Sequence, residues 1–358
     1  MILRRSSTNV HICLTEMGMD VHSEVVINQK LMSFAGIVDA TEAAAGAENG
    51  FAADVISGLS ARHKHLSPKY FYDAAGSRLF GEICRIDEYY VTRSETLLLG
   101  NVAAEVATGI PDGAALVEFG SGESAKTRLL LDAAPQISTY VPIDISADAL
   151  CDASARLARD YPQLSVAPLV ADFTRHFRLP AAADGRPRIG FFPGSTIGNF
   201  DRDGAVRFLR SVRQGLGMHA ALLVGVDLIK DPATLVAAYD DALGVTARFN
   251  KNLLTRINRE LGGDFDLDAF DHVALWNAEH SRVEMHLVSR KDQIVNAAGN
   301  TFAFRKGERL HTENSHKFSV AMFSGLAAEA GWSADKIWIS DAPRVALFRL
   351  ESVPSENL

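Results

Sequence analysis

The stretch Ala115-Leu-Val-Glu-Phe-Gly120-Ser-Gly122-Glu-Ser-Ala-Lys126-Thr-Arg-Leu-Leu-Leu-Asp132 runs a strand-like segment into a glycine turn and then into a helix-like one. Gly120 and Gly122 let the backbone turn sharply and approach a ligand with no Cβ in the way. The start of the following helix offers unpaired N–H groups to a carboxylate or phosphate. Lys126, one turn in, is placed to pair with an anionic tail.

Three more apolar runs follow. Tyr140-Val-Pro-Ile-Asp144 and Ala167-Pro-Leu-Val-Ala-Asp172-Phe173 each end in an aspartate, and Ile189-Gly-Phe-Phe-Pro193 ends in Gly194-Ser-Thr-Ile-Gly-Asn199. Asp144 follows Gly120 at close to the ~20 residues expected of an acid that accepts both ribose hydroxyls. Asp172 and Phe173 suit an adenine amine and an adenine face. Together the runs describe a nucleoside-carrying cofactor laid across the carboxyl ends of parallel strands. The segment also nearly matches a phosphate-binding loop, but Ala125 replaces the glycine before Lys126-Thr127, so a nucleotidase reading ranks second.

Helix-like segments at Ala149–Arg159 and Ala205–Leu216 alternate with these runs, and Ala221–Asp227 adds a fifth strand. That alternation predicts a doubly wound parallel sheet with right-handed crossovers. The rhythm then breaks. Leu228 to about Glu279 reads as mostly helical, including Thr234–Ala242 and Lys251–Leu261. Val283–Val288, Gln293–Val295 and Phe302–Phe304 read as antiparallel strands. A helix within Phe318–Gly331 resumes the pattern, and Lys336–Ile339 with Val345–Leu350 forms a terminal hairpin. Upstream, Leu79–Ile86 is amphipathic and Ser94–Val106 reads as a helix on the sheet. Thr41–Gly50 reads as a linker, and residues 1–50, with Met17, Met19 and Met32 as alternative starts, carry no assigned role.

Composition bounds the rest. The 358 residues carry a formal charge of -8, which argues against nucleic acid or an anionic membrane as partner. No apolar run reaches the ~20 residues of a membrane span. Cys13, Cys84 and Cys151 are widely spaced, the pattern of a reducing cytoplasm. His63, His65, His311 and His316 fall in no ligand spacing, so no metal is expected.

Seven segments resemble the S-adenosylmethionine-dependent histidine Nα-methyltransferases of ergothioneine biosynthesis. They are Tyr70–Phe80, Glu88–Arg93, Val117–Gly122, Gly194–Asn199, Ala238–Ala242, Phe265–His272 and His311–Phe318. The resemblance implies an α/β fold: a class I methyltransferase Rossmann-like doubly wound sheet with a terminal antiparallel hairpin, plus a smaller α+β substrate-binding domain. The latter is expected from residues 51–93 and 230–317, and the S-adenosylmethionine-binding domain from 94–229 and 318–358. Gly120, Lys126, Asp144, Asp172 and Phe173 would contact the cofactor. Asn199 and Tyr239 would hold the histidine carboxylate, while Tyr89, Glu313 and Ser315 would read the imidazole. Met285 would line the side-chain pocket.

Without the resemblance, Glu313 reads as a solvated charge, Asn199 as a helix-cap residue, and Tyr72, Tyr89 and Tyr239 as packing. On an extended segment Glu313 and Ser315 point the same way, as a pair gripping two imidazole nitrogens requires. Tyr72 is a candidate to orient the amine, with no obligate base expected. The implied reaction is trimethylation of the L-histidine α-amino group to hercynine by a cytoplasmic monomer acting on small molecules. The alternatives are an N-methyltransferase for another amino acid such as tryptophan, or a non-catalytic cofactor-binding regulator.

Overall fold

The computed structural model describes residues 40–121, 125–175 and 177–353. Gly122, Cys13 and the candidate starts at Met17, Met19 and Met32 lie outside the described residues.

Helix α1 (Ala40–Ser60) leads through a short turn to α2 (Ala74–Ile83) and α3 (Tyr90–Thr108). The stretch expected to be a linker, Thr41–Gly50, falls inside α1. Its run Ala43-Ala-Ala45 explains this, since alanine has the highest helix propensity. Strand β1 (Ala115–Phe119), helix α4 (Ala125–Ala133), strand β2 (Thr139–Asp144) and helix α5 (Ala147–Asp160) follow the expected alternation. The third strand is cut in two, β3 (Ser165–Val166) and β4 (Leu169–Val170), both paired with β2. Pro168 stands between them without an N–H to give the ladder.

Strand β5 (Arg188–Phe192), a turn at Thr196–Asn199, helix α6 (Arg202–Leu216) and strand β6 (Ala221–Asp227) complete the parallel part. The insertion begins with α7 (Pro232–Ala237) and α8 (Val245–Leu261), followed by strands β7 (Phe270–Asn277), β8 (Arg282–Ser289), β9 (Gln293–Ala297), β10 (Asn300–Phe304) and β11 (Arg309–His316). Helix α9 (Val320–Glu329) and the hairpin β12 (Trp332–Ile339) and β13 (Val345–Ser352) close the fold. Strand β7 lies in a region expected to be helical. Few of its side chains are buried beyond Phe270 and Ala274, so the apolar alternation that marks a half-buried strand is faint.

The main sheet runs β12-β13-β6-β5-β1-β2-β3. Its central strands are parallel, and β13 is antiparallel to both neighbours. Strand β1 is buried on both faces, as expected of a parallel sheet covered by helices on both sides. Leu116, Phe191 and Leu223 pack with α3 and the insertion, whereas Val117, Phe192 and Val224 pack with α6 and α9. The chain order reverses between β1 and β5, and their carboxyl ends form a topological switch point, where α/β sheets bind ligands.

The insertion leaves and rejoins the sheet at one place. Phe318 N donates to Asp227 O at 3.1 Å, and Ile229 N donates to Phe318 O at 3.0 Å. Within the insertion β11-β8-β7 form one small sheet and β10-β9 another. Strand β11 packs on the Thr196–Asn199 turn, which itself packs on β6. The insertion therefore stands over the strand tips.

Candidate active site

At the strand tips the five expected cofactor residues come from successive β–α junctions. Gly120 ends β1 with φ of +75°, a conformation L side chains rarely adopt. Its N–H donates to Ile143 O at 2.8 Å, which ties the turn to β2. Asp144 ends β2, and its Oδ1 accepts from Ser146 N at 3.0 Å. Asp172 accepts from Thr174 N at 3.0 Å, and Arg175 Nε lies 3.6 Å from it. The Phe173 ring meets Phe119, Phe192 and Phe208 edge-on, with centroids 5.7 to 6.1 Å apart. That leaves it half-buried at the rim.

Lys126 is not waiting for an anion alone. Its ammonium pairs with Glu95 of α3, which is buried, and both Glu95 oxygens accept from Gly194 N at 3.0 and 2.8 Å. Gly225 makes room for this carboxylate, since a Cβ there would lie 1.6 Å from Glu95 Oε1. Glu95 thus joins the β1 junction to the β5 junction. Beneath it, buried Glu118 accepts from Thr127 Oγ1 at 2.7 Å and from the Tyr140 hydroxyl, and burial pushes its pKa up to about 7.

The other expected residues meet in one cleft between the strand tips and the insertion. Tyr72, Tyr89, Asn199, Tyr239, Met285, Glu313 and Ser315 all line it. A β-bulge between His311 and Glu313 re-aims the end of β11. Thr312 is held inward by donating to Met285 O at 3.0 Å, and Glu313 and Ser315 both face the cleft. Asn199 sits on the turn after β5, and its Nδ2 donates to Glu313 Oε1 at 3.2 Å. His316 Nδ1 lies 2.9 Å from Gly198 O, fastening that turn to β11, and a Cβ on Gly198 would come 2.6 Å from His316 O. Only glycine fits there.

Tyr239 lies in the turn between α7 and α8. Asn250 Nδ2 faces His272 Nδ1 at 2.8 Å, and His272 Nε2 lies 2.8 Å from Tyr239 O. Burial holds the His272 pKa below its ordinary value, so the ring is neutral and donates from Nε2 to the tyrosine carbonyl. The Tyr239 hydroxyl lies 2.7 Å from Ser315 Oγ.

The rest of the cleft is aromatic. Tyr72 meets Phe80 at 5.6 Å and Phe249 at 5.8 Å, while Tyr89 meets Phe80 at 6.2 Å and Tyr239 at 6.0 Å, all near edge-on. Phe80 and Phe249 were not among the expected residues; both occupy helix positions that read as ordinary core. Burial raises the Tyr72 and Tyr89 pKa values well above the usual phenol range, so both stay neutral. Burial likewise lifts Glu313 to about 7, against the pull of the Lys317 ammonium. A neutral amine, a carboxylate and a planar polar ring would all find partners here, and a cation would find π faces.

The profile of histidine-specific, S-adenosylmethionine-dependent methyltransferases matches residues 51–352. The chain belongs to this family. A histidine N-alpha-methyltransferase of Mycolicibacterium smegmatis is 43% identical over 84% of this chain and 94% of that protein. One from Mycobacterium tuberculosis is 42% identical over 81% of this chain and 91% of its own length. Ergothioneine biosynthesis protein 1 of Neurospora crassa is 29% identical over 77% of this chain and 32% of its own length.

The methyl donor of these histidine-specific methyltransferases suits the residues present. The left-handed Gly120, the two junction carboxylates Asp144 and Asp172, and the Phe173 ring supply the donor and acceptor types a nucleoside and its amino-acid tail require. Among the described residues no group of three or more His, Cys, Asp or Glu side chains is placed to hold a metal ion.

Proposed function

We propose that the chain transfers three methyl groups in succession from S-adenosylmethionine to the α-amino nitrogen of L-histidine. The product is hercynine, the trimethyl betaine of ergothioneine biosynthesis. The observation that carries this reading is the convergence of Glu313 and Ser315 with Asn199 and Tyr239 on one buried cleft above the strand tips.

The cofactor supplies an electrophilic methyl on a sulfonium. The protein's task is to align the incoming nitrogen and exclude water. Asn199 has a second amide N–H beyond the one given to Glu313, and with the Tyr239 hydroxyl it holds the substrate carboxylate. Glu313 and Ser315 engage the imidazole from one side of β11, and Met285 fills the wall beside them. Tyr89, kept neutral, reads the imidazole with Glu313 and Ser315, and Tyr72, also a neutral phenol, orients the amine through a hydrogen bond without removing its proton. Each ammonium formed rests against aromatic faces, and its proton passes to solvent at the cleft mouth before the next transfer. A buried carboxyl and hydroxyl reject apolar side chains, because either group left unpaired costs its desolvation.

Gly120, Lys126, Asp144, Asp172 and Phe173 hold the methyl donor in this reading. Lys126 does so while its charge is shared with Glu95. We assign residues 51–93 and 230–317 to the substrate lobe and the remainder from residue 94 to the donor-binding lobe. We further infer a cytoplasmic monomer, and the formal charge of -8 accords with the lack of a nucleic-acid or anionic-membrane partner. No described helix is long and apolar enough to cross a membrane.

Incubating the protein with methyl donor and each of the twenty amino acids, then weighing the products, tests the proposal. Histidine should gain one, two and finally three methyl groups. A histidine sample of unchanged mass overturns it.

A further inference from the structure

Lys317 is completely buried, and the chemistry above gives it no role. Its Nζ lies 2.8 Å from Asp227 Oδ2, 2.9 Å from the Tyr239 hydroxyl and 2.9 Å from Ser315 Oγ. An ammonium has three protons and no lone pair, so all three donors are committed. Asp227 is equally buried and is held a second time by Lys230 and by the Tyr90 hydroxyl at 2.7 Å. The ion pair is therefore fixed from both ends.

Counting protons on the cleft wall gives the consequence. Tyr239 and Ser315 own one hydroxyl proton each, and their oxygens are 2.7 Å apart, so one proton lies between them. Lys317 already donates to both oxygens, so neither hydroxyl needs to turn back for a partner. One proton is left to face the cleft.

We propose that Lys317 is a positioning residue that sets the hydrogen-bond polarity of this wall, so that Tyr239 donates to the substrate carboxylate and Ser315, donating to Tyr239, accepts from a ring N–H. The phenol takes the free proton because it is the stronger acid and faces the anionic acceptor, where a charge-assisted bond forms. The ammonium 4.7 Å from the Tyr239 ring centroid strengthens that donation. Ser315 then shows a lone pair, which an imidazole N–H satisfies and an apolar ring leaves orphaned. The assignment rests on the histidine reading of the cleft and deepens it.

Two measurements test it, after wild-type protein has been shown to methylate histidine; failure at that first step overturns the histidine reading and this assignment with it, whereas failure below overturns this assignment alone. The first is a double-mutant cycle of Lys317→Met with Tyr239→Phe, scored by the histidine KM, by kcat and by the calorimetric affinity for S-adenosylhomocysteine. Lys317→Met should raise the histidine KM roughly tenfold, leave S-adenosylhomocysteine affinity within about twofold, and cost little more in the Tyr239→Phe background. An unchanged KM, or fully additive costs, overturns the proposal. Asp227 keeps Lys230 and Tyr90 in this variant, so its carboxylate is not orphaned. The second needs no variant: β-(thiazol-4-yl)alanine keeps a ring nitrogen acceptor but has no ring N–H. It should be methylated with a KM at least tenfold above that of histidine. A KM equal to that of histidine overturns the polarity assigned to Ser315, whatever the fate of Lys317→Met.

Discussion

At the tips of β1, β2 and β4 the polar side chains are half-exposed and each comes from the loop that ends its own strand, whereas in the cleft wall they are buried and come from segments scattered along the chain. Asp144 and Asp172 satisfy themselves within two residues, on Ser146 and Thr174. Glu313 depends on Asn199, Ser315 on Tyr239, and Tyr239 on Lys317 and His272, partners that arrive from distant parts of the chain. A rim of local, hydrated acids tolerates the loss of one member. A dry network does not, because a removed partner leaves a desolvated group behind. The contrast accords with one region gripping a large cofactor at many points and the other discriminating a small amino acid at few.

Glu95 belongs to both regions, so its loss should have the largest effect. Glu95→Ala strips Lys126 and Gly194 N together and should cost about 3 to 5 kcal/mol, as for a broken buried ion pair. Denaturant unfolding measures the loss, and calorimetry with S-adenosylhomocysteine and with histidine should show both affinities reduced. If only one falls, the two regions are not joined through this carboxylate. Next comes Glu313→Ala, expected to lower kcat/KM for histidine by about 100-fold while donor affinity holds. A parallel fall in donor affinity would erase the division of labour.

Each region also hides one carboxyl with a raised pKa, Glu118 beneath the β1 junction and Glu313 in the cleft. Both move from an ordinary value of 4.5 to about 7 in the folded chain. Between those values the unfolded chain releases protons that the folded chain retains. Each group's contribution is thus complete below pH ~4.5 and lost as pH rises to ~7. Glu118→Gln and Glu313→Gln should each flatten that decline by on the order of 1 to 3 kcal/mol, read from denaturation midpoints at pH 5 and pH 8. Only Glu313→Gln should also remove an inflection near pH 7 from the profile of histidine kcat/KM. The same inflection vanishing in Glu118→Gln would contradict the distinction. Smallest is Asp172→Ala, which should weaken S-adenosylhomocysteine binding roughly fivefold with the histidine KM unmoved in steady-state assays.

The sequence made the rim legible for the reason that makes the rim tolerant. Gly120, Asp144 and Asp172 sit at fixed offsets from apolar strands, so one reading frame reveals both the element and its tip. The cleft residues became visible only through the family resemblance. Glu95, Lys317 and His272 stayed out of view because each acts on a partner brought close by the fold, and no local pattern marks such a pairing. Strand β7 was missed because few of its side chains are buried, and the break at Pro168 was missed because a proline at a sheet edge leaves the apolar run looking whole. The bulge at Thr312 left no mark in the sequence, although the facing direction of Glu313 depends on it.

Strand β13 sits between β6 and β12, and Leu347, Phe348 and Leu350 there are completely buried. A ribosome that has finished β6 must therefore translate more than a hundred further residues before that strand's open flank finds its neighbour. Throughout that interval the nascent chain displays a row of unpaired backbone groups beside Leu222 and Val224, which is an invitation to aggregate. A chain that ends before Val345 should keep that flank open and aggregate more readily than the full chain, as light scattering would record.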